Sequence, residues 1–181
     1  MLRKWVAIQL AIVVVGLVAA AATTYARSDG AQHAQADIEG VNGLTGVARF
    51  VEDGTGTVHV VIKLKNAPAG LHGTHVHANG DCGGTAYSAA GAHFDPDSSA
   101  SHGSPDDAIG SHHAGDLHNT EVNVAENGHG TTITGALTVS DGLRSITGRS
   151  IIIHANEDNY TNTPVNGGSG TRIACGIIEA D

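Results

Sequence analysis

The sequence predicts an all-β domain, an antiparallel sandwich or barrel. Three observations lead there. Glycine is abundant, at 25 of 181 residues, while aromatics make up 3%. Much glycine with many Val, Ile and Thr favours short strands joined by tight turns over helices. Short apolar runs with turn residues between them recur along the chain, and no internal repeat is visible.

The runs come in order. Residues 47–52 (VARFVE) form a short strand candidate, and 53–56 (DGTG) supply the turn after it. Residues 57–64 (TVHVVIKL) alternate more clearly, and 71–78 form a third candidate. The pattern then stops from 79 to 118, where Gly, Ser, Asp and His dominate. A stretch of that length without strand signal is functional or disordered, and its His content points to a loop organised by metal. Strand signals return at 121–125, 131–139, 149–154 and 172–178.

The N-terminus reads as an export signal. Met1-Leu2-Arg3-Lys4 is a short basic stretch, residues 5–22 are apolar apart from Gln9 and Gly16, and small residues crowd the end at Ala20-Ala21-Ala22 and Thr24-Tyr25-Ala26. Residues 1–26 are therefore expected to be a signal peptide. An uncleaved anchor is the competing reading, because the apolar stretch approaches membrane length. Polar residues 27–36 are expected to be a flexible linker, followed by one domain over 37–181. Export places the protein in a periplasm, in a cell envelope or outside the cell. Two cysteines in such a chain, Cys82 and Cys175, read as one disulfide; two buried thiols would suit a cytosolic protein.

The net charge of −9 argues against nucleic-acid binding, which needs basic patches. An anionic substrate would need local positive charge at the site, because the global field repels it. The chain holds twelve His. His75 and His77 stand two apart on a strand candidate, so their imidazoles share a face. His93, His102, His112, His113 and His154 follow, with Asp116 three residues after His113. A set of imidazoles alone suits copper, and three His with one Asp suit tetrahedral zinc. One His can serve both ions, because imidazole has two nitrogens.

Four ordered segments resemble the copper–zinc superoxide dismutases. Gly70-Leu71-His72-Gly73-Thr74-His75-Val76-His77 is similar to their copper-binding signature, and Ala90-Gly91-Ala92-His93-Phe94-Asp95-Pro96 to their bridging-His segment. His113-Ala114-Gly115-Asp116-Leu117 resembles the end of their zinc loop. Gly170-Thr171-Arg172-Ile173-Ala174-Cys175-Gly176 resembles their arginine–cysteine signature. Cys82, five residues after His77, resembles the bacterial branch.

The resemblance implies a Greek-key antiparallel β-barrel with long metal-binding and electrostatic loops. It implies that His75, His77, His93 and His154 bind one copper, and that His93, His102, His113 and Asp116 bind one zinc, with His93 bridging. It implies a Cys82–Cys175 disulfide, superoxide as substrate, Arg172 as the group that attracts it, and Asp158 as a carboxylate linking His75 to His102. His113 is preferred to His112 because its spacing to Gly115-Asp116 fits the motif. His72 is expected beneath the site, and His33, His59, His118 and His129 at the surface. Residues 155–171 hold no Lys or Arg, unlike the better-known eukaryotic members, so Arg172 and the metals are left as the main local attraction. A homodimer is left open. A non-catalytic metal-binding relative should lack a copper ligand or the arginine, and all are present here. A zinc hydrolase would need an open coordination position, which four protein ligands close.

Overall fold

The computed structural model describes residues 30–98 and 101–181. The expected signal peptide lies outside the described residues. Among the described residues ten strands form one antiparallel sheet: β1 (Gln32–Gly40), β2 (Thr45–Glu52), β3 (Val58–Lys65), β4 (Gly70–His72), β5 (Thr74–His77), β6 (Thr120–Val122), β7 (Asn127–Thr134), β8 (Ser150–His154), β9 (Arg172–Ile177) and β10 (Glu179–Ala180). Their lateral order is β4-β6-β7-β3-β2-β1-β9-β8-β5, with β10 added beside β1. The end strands β4 and β5 are joined by the single residue Gly73. The sheet therefore curls into a nearly closed barrel with Greek-key connections. Among the described residues no helix is long and apolar enough to cross a membrane.

Alternation drives this architecture. Along β3 the residues Val58, Val60, Ile62 and Leu64 are buried, and His59, Val61, Lys63 and Lys65 face outward. Among their partners on β2, Ala48, Phe50 and Glu52 are buried too. The core continues through Ile38, Leu117, Leu137, Ile146, Ile151, Ile153 and Ile178. Full burial of one such side chain contributes about 1.5–3 kcal/mol.

The polar composition of residues 27–36 suggests a linker, but from Gln32 onward the segment is strand β1, paired with β2 from Gln32 to Glu39. Its inward residues Ala34 and Ala36 are small, so the segment reads as polar although it is half of a two-sided strand. The run at 71–78 also divides into two strands that sit at opposite ends of the sheet.

The loop from β5 to β6 carries no strand among its described residues, only a 3-10 helix at Thr85–Ala90. The Cys82–Cys175 disulfide ties this loop to β9, with Cα atoms 5.7 Å apart. Cys175 packs with Ile152 and Ala90 in a small second core, against which Cys82 and Tyr87 lie. A cross-link spanning 93 residues stabilises by about 4–5 kcal/mol in the chain-entropy picture.

Candidate metal centre

Strand β5 is the spine of the site. Val76 donates its N–H to Gly115 O at 2.8 Å and accepts at its carbonyl from the N–H of Phe94 at 2.8 Å. Gly115 in turn donates to Phe94 O at 2.8 Å. Two loop segments thus lie along β5 and bring His93 beside His77 and Asp116 beside His75. Position 115 must be glycine, because a Cβ there would stand 2.2 Å from Val76 O. β8 pairs with the other edge of β5 and delivers His154.

His75, His77, His93 and His154 are all buried, and one ring nitrogen of each lies within 4.8 Å of those of the others. Every ring spends its other nitrogen as a donor. His77 Nδ1 donates to Gly91 O at 2.9 Å, and His154 Nδ1 to Gly170 O at 3.1 Å. His93 Nδ1 donates to Asp116 Oδ1 at 2.8 Å, and His75 Nε2 to Asp158 Oδ2 at 2.7 Å. The remaining nitrogens, His75 Nδ1 and Nε2 of His77, His93 and His154, are buried and have no hydrogen-bond partner. Four lone pairs that converge in a dry space need a cation, and an all-nitrogen set suits copper. Burial, with repulsion from neighbouring rings, depresses His75 to about 3, His77 to about 2 and His154 to about 4, and it lowers His93 as well. The rings are therefore neutral at pH 7, as metal binding requires.

Behind His93 lies a second set. Asp116 Oδ1 accepts from Nδ1 of His93 at 2.8 Å and of His102 at 3.0 Å, and His113 Nδ1 lies 3.4 Å away. Three imidazole nitrogens around one carboxylate make a donor set suited to zinc. By separation alone His75 joins His93, His102 and Asp116 more tightly than His113 does. That closeness reflects the stacking of His75 on His93, with ring centroids 4.0 Å apart, while His75 Nε2 is already committed to Asp158. His113 Nδ1, by contrast, has no hydrogen-bond partner. His112 is buried but turns its Nδ1 to His113 O at 2.8 Å.

Asp158 joins the two sets, since His102 Nε2 donates to its Oδ1 at 2.8 Å and His75 Nε2 to its Oδ2. Burial alone would lower the His102 value, but hydrogen bonds to Asp116 and Asp158 outweigh it and raise the ring to about 9. Burial would raise both carboxylates, and the imidazole hydrogen bonds instead hold them well below the usual range. His72 is buried beneath the site and reaches His154 O and Pro68 O at 2.7 and 2.8 Å.

Arg172 stands opposite His154 where β8 and β9 pair. Its guanidinium donates to Tyr87 O and Gly91 O, so the loop next to the disulfide fixes it. It lines an open pocket with Ala86, Ser88, Gly170 and Thr171. Arg144 is paired with Asp97, and Arg149 lies over the Phe94 ring, 3.5 Å from its centroid. His59 is partly exposed and bonds Asp53, His118 bonds Asp106, and His129 is exposed. Two residues beside the site gave no pattern in the sequence, Asn119 and Tyr160. The one available signal was an aromatic in a polar loop, two residues past Asp158, in a chain with three Tyr.

The family model for copper/zinc superoxide dismutase (SODC) matches residues 44–178. A "Superoxide dismutase [Cu-Zn] 2" of Brassica juncea is 39% identical over 142 residues, covering 75% of this chain and 90% of that protein. The protein of the same name from Mesembryanthemum crystallinum is 36% identical over 150 residues, covering 80% and 93%. Among solved structures, the clock protein EA4 superposes with a TM-score of 0.73 at 30% identity, covering 81% of this chain and 93% of that one.

Proposed function

The chain belongs to the copper/zinc superoxide dismutase family, and from that premise we propose how its residues divide the work. The reaction turns two superoxide anions and two protons into oxygen and hydrogen peroxide, and the chain uses one copper and one zinc. Copper, when bound, supplies the one-electron redox centre, while zinc is structural.

His75, His77, His93 and His154 hold the copper, and His93, His102, His113 and Asp116 hold the zinc. The observation that carries the copper assignment is the set of four buried ring nitrogens without partners, and the zinc assignment rests on the imidazoles gathered around Asp116 Oδ1. Each ring's donor bond fixes its tautomer and aims the other nitrogen inward. His93 faces both sets, one nitrogen to each. Its Nε2 has no protein partner and is the atom suited to hold a proton and release it to the product. Arg172 is permanently cationic and planar, so it can hold the superoxide anion by hydrogen bonds beside His154. Asp158 keeps His75 and His102 oriented, and through them the two sets.

The basic start, apolar stretch and small residues of 1–26 support export with signal cleavage. One preparation tests both proposals. Protein purified from an exporting host and loaded with both metals is expected to hold one copper and one zinc per chain, and to begin after the small residues at 20–26. Zinc alone, with copper in excess, would overturn the ligand assignment. Recovery of the intact N-terminus would overturn cleavage.

A further inference from the structure

Tyr160 stands two residues past Asp158 with φ of 59°, a left-handed conformation that a bulky side chain adopts only at a cost. Its surroundings show what holds it there. The hydroxyl oxygen accepts the backbone N–H of Asn119 at 2.8 Å and its side-chain amide N–H at 3.0 Å. Asn119 then clamps the main chain of Asp158 from both sides: Nδ2 donates to Asp158 O at 2.9 Å, and Oδ1 accepts the Asp158 N–H at 2.9 Å. The N–H of Tyr160 itself donates to Asp158 Oδ1 at 2.7 Å.

Asn119 lies three residues beyond Asp116, so the phenol draws the segment that ends one metal set against the loop that carries Asp158. Gly167 packs directly against the same carboxylate: a Cβ there would stand 1.8 Å from Asp158 Oδ1, so only glycine leaves room for the carboxylate where it lies. The carboxylate is thereby held where it accepts from His75 and His102 at once.

We propose that Tyr160 is a positioning residue for the zinc set: through Asn119 and its own peptide N–H it fixes Asp158, and so sets how tightly His93, His102, His113 and Asp116 hold their cation. The inference rests on the assignment of that set above. A phenylalanine would fill the same space, so the hydroxyl is the part with this task. Without it, two Asn119 N–H groups lose their acceptor, and the clamp on Asp158 loosens.

The test uses Tyr160→Phe in copper-loaded protein lacking zinc, with cobalt(II) as the probe ion, its visible spectrum as one readout and chelator competition as the other. Partners behind a metal's ligands tune affinity by about 10–100-fold, and one step further out the expected loss is roughly 3–10-fold, with an altered cobalt spectrum. Asp158→Asn should lose about 10–100-fold. Adding Tyr160→Phe to Asn119→Ala should cost little beyond Asn119→Ala alone, because both act through one clamp. The inference is overturned if Tyr160→Phe binds cobalt like the parent while Asp158→Asn does not, or if it lowers only the melting temperature of the metal-free protein. If Asp158→Asn also binds like the parent, the site assignment itself fails, and this inference with it.

Discussion

The two nitrogens of His93 look into different chemistry. On the Nε2 side stand three other imidazoles, each with a bare lone pair and no counter-charge. On the Nδ1 side stands Asp116, which already accepts hydrogen bonds from its neighbours. The first half is neutral and unsatisfied. The second is an internal ion pair, with His102 holding an extra proton between two carboxylates. A cation entering the first half meets an empty role. A cation entering the second must displace a proton that the protein holds firmly. The two halves share one ring, yet one gathers neutral ring nitrogens and the other a charge that the fold supplies itself.

The comparison can be broken by removing that charge. Asp116→Asn is expected to weaken zinc binding by more than about 100-fold, beyond the range for partners that sit behind the ligands. Copper content at saturation should stay near the parent's, as metal analysis after dialysis would show. Equal loss of both metals would mean that the halves are not separable. The next effect concerns charge near the copper half. Arg172→Ala should keep copper and lower the dismutation rate roughly tenfold or more, because the acidic protein then repels the anion. Lysine at 172 should recover part of the rate, and glutamate should be worse than alanine, with the differences shrinking as salt rises. Rates for alanine and glutamate that match the parent at equal copper loading would remove the guiding role.

The smallest effect sharpens the contrast in metal-free protein. His75, His77 and His154 titrate near 3, 2 and 4 in the fold against 6.5 when unfolded. As pH falls below 6.5 the unfolded chain takes up protons that the fold excludes, so stability drops towards pH 3. Asp116 and Asp158 add to this acid limb, since their depressed values give stability above 3.8 that is lost on acidification. His102 acts in the opposite direction. Its value near 9 contributes stability that is complete below 6.5 and lost as pH rises through 9. Urea midpoints across pH should therefore peak near 6.5 with a shallow alkaline decline, and a flat profile from 7 to 9 would deny His102 its proton.

Much of this was legible in the sequence where side chains announce their surroundings. β2, β3, β8 and β9 fall within two residues of their expected spans; apolar residues alternate with polar ones along β3, while β8 carries the unbroken run Ile151-Ile152-Ile153. β1 was missed because its buried face offers Ala34 and Ala36. β7 was expected at 131–139 and lies at Asn127–Thr134, because two of its inward positions are Gly128 and Gly130, which carry no apolar signal. Leu137 and Val139 are buried beyond the strand's end, and so mimic its continuation. The histidines were legible as a group because their spacing is local: H-x-H on one strand, and His113 with Asp116 in one turn. The hold of Tyr160 on Asn119 spans 41 residues and depends on how two loops meet, which no local pattern encodes.

Gly91 O accepts both from His77 and from Arg172. One main-chain oxygen is thus the shared reference point for a ring of the buried imidazole set and for the guanidinium beside it. Both side chains stand on strands, so a shift of that oxygen would disturb the two hydrogen bonds together. No side chain carries that oxygen, but position 91 is still a lever: its φ is 77° and a Cβ there would stand 2.9 Å from Asn79 Nδ2, so a substitution would strain the loop that holds both partners.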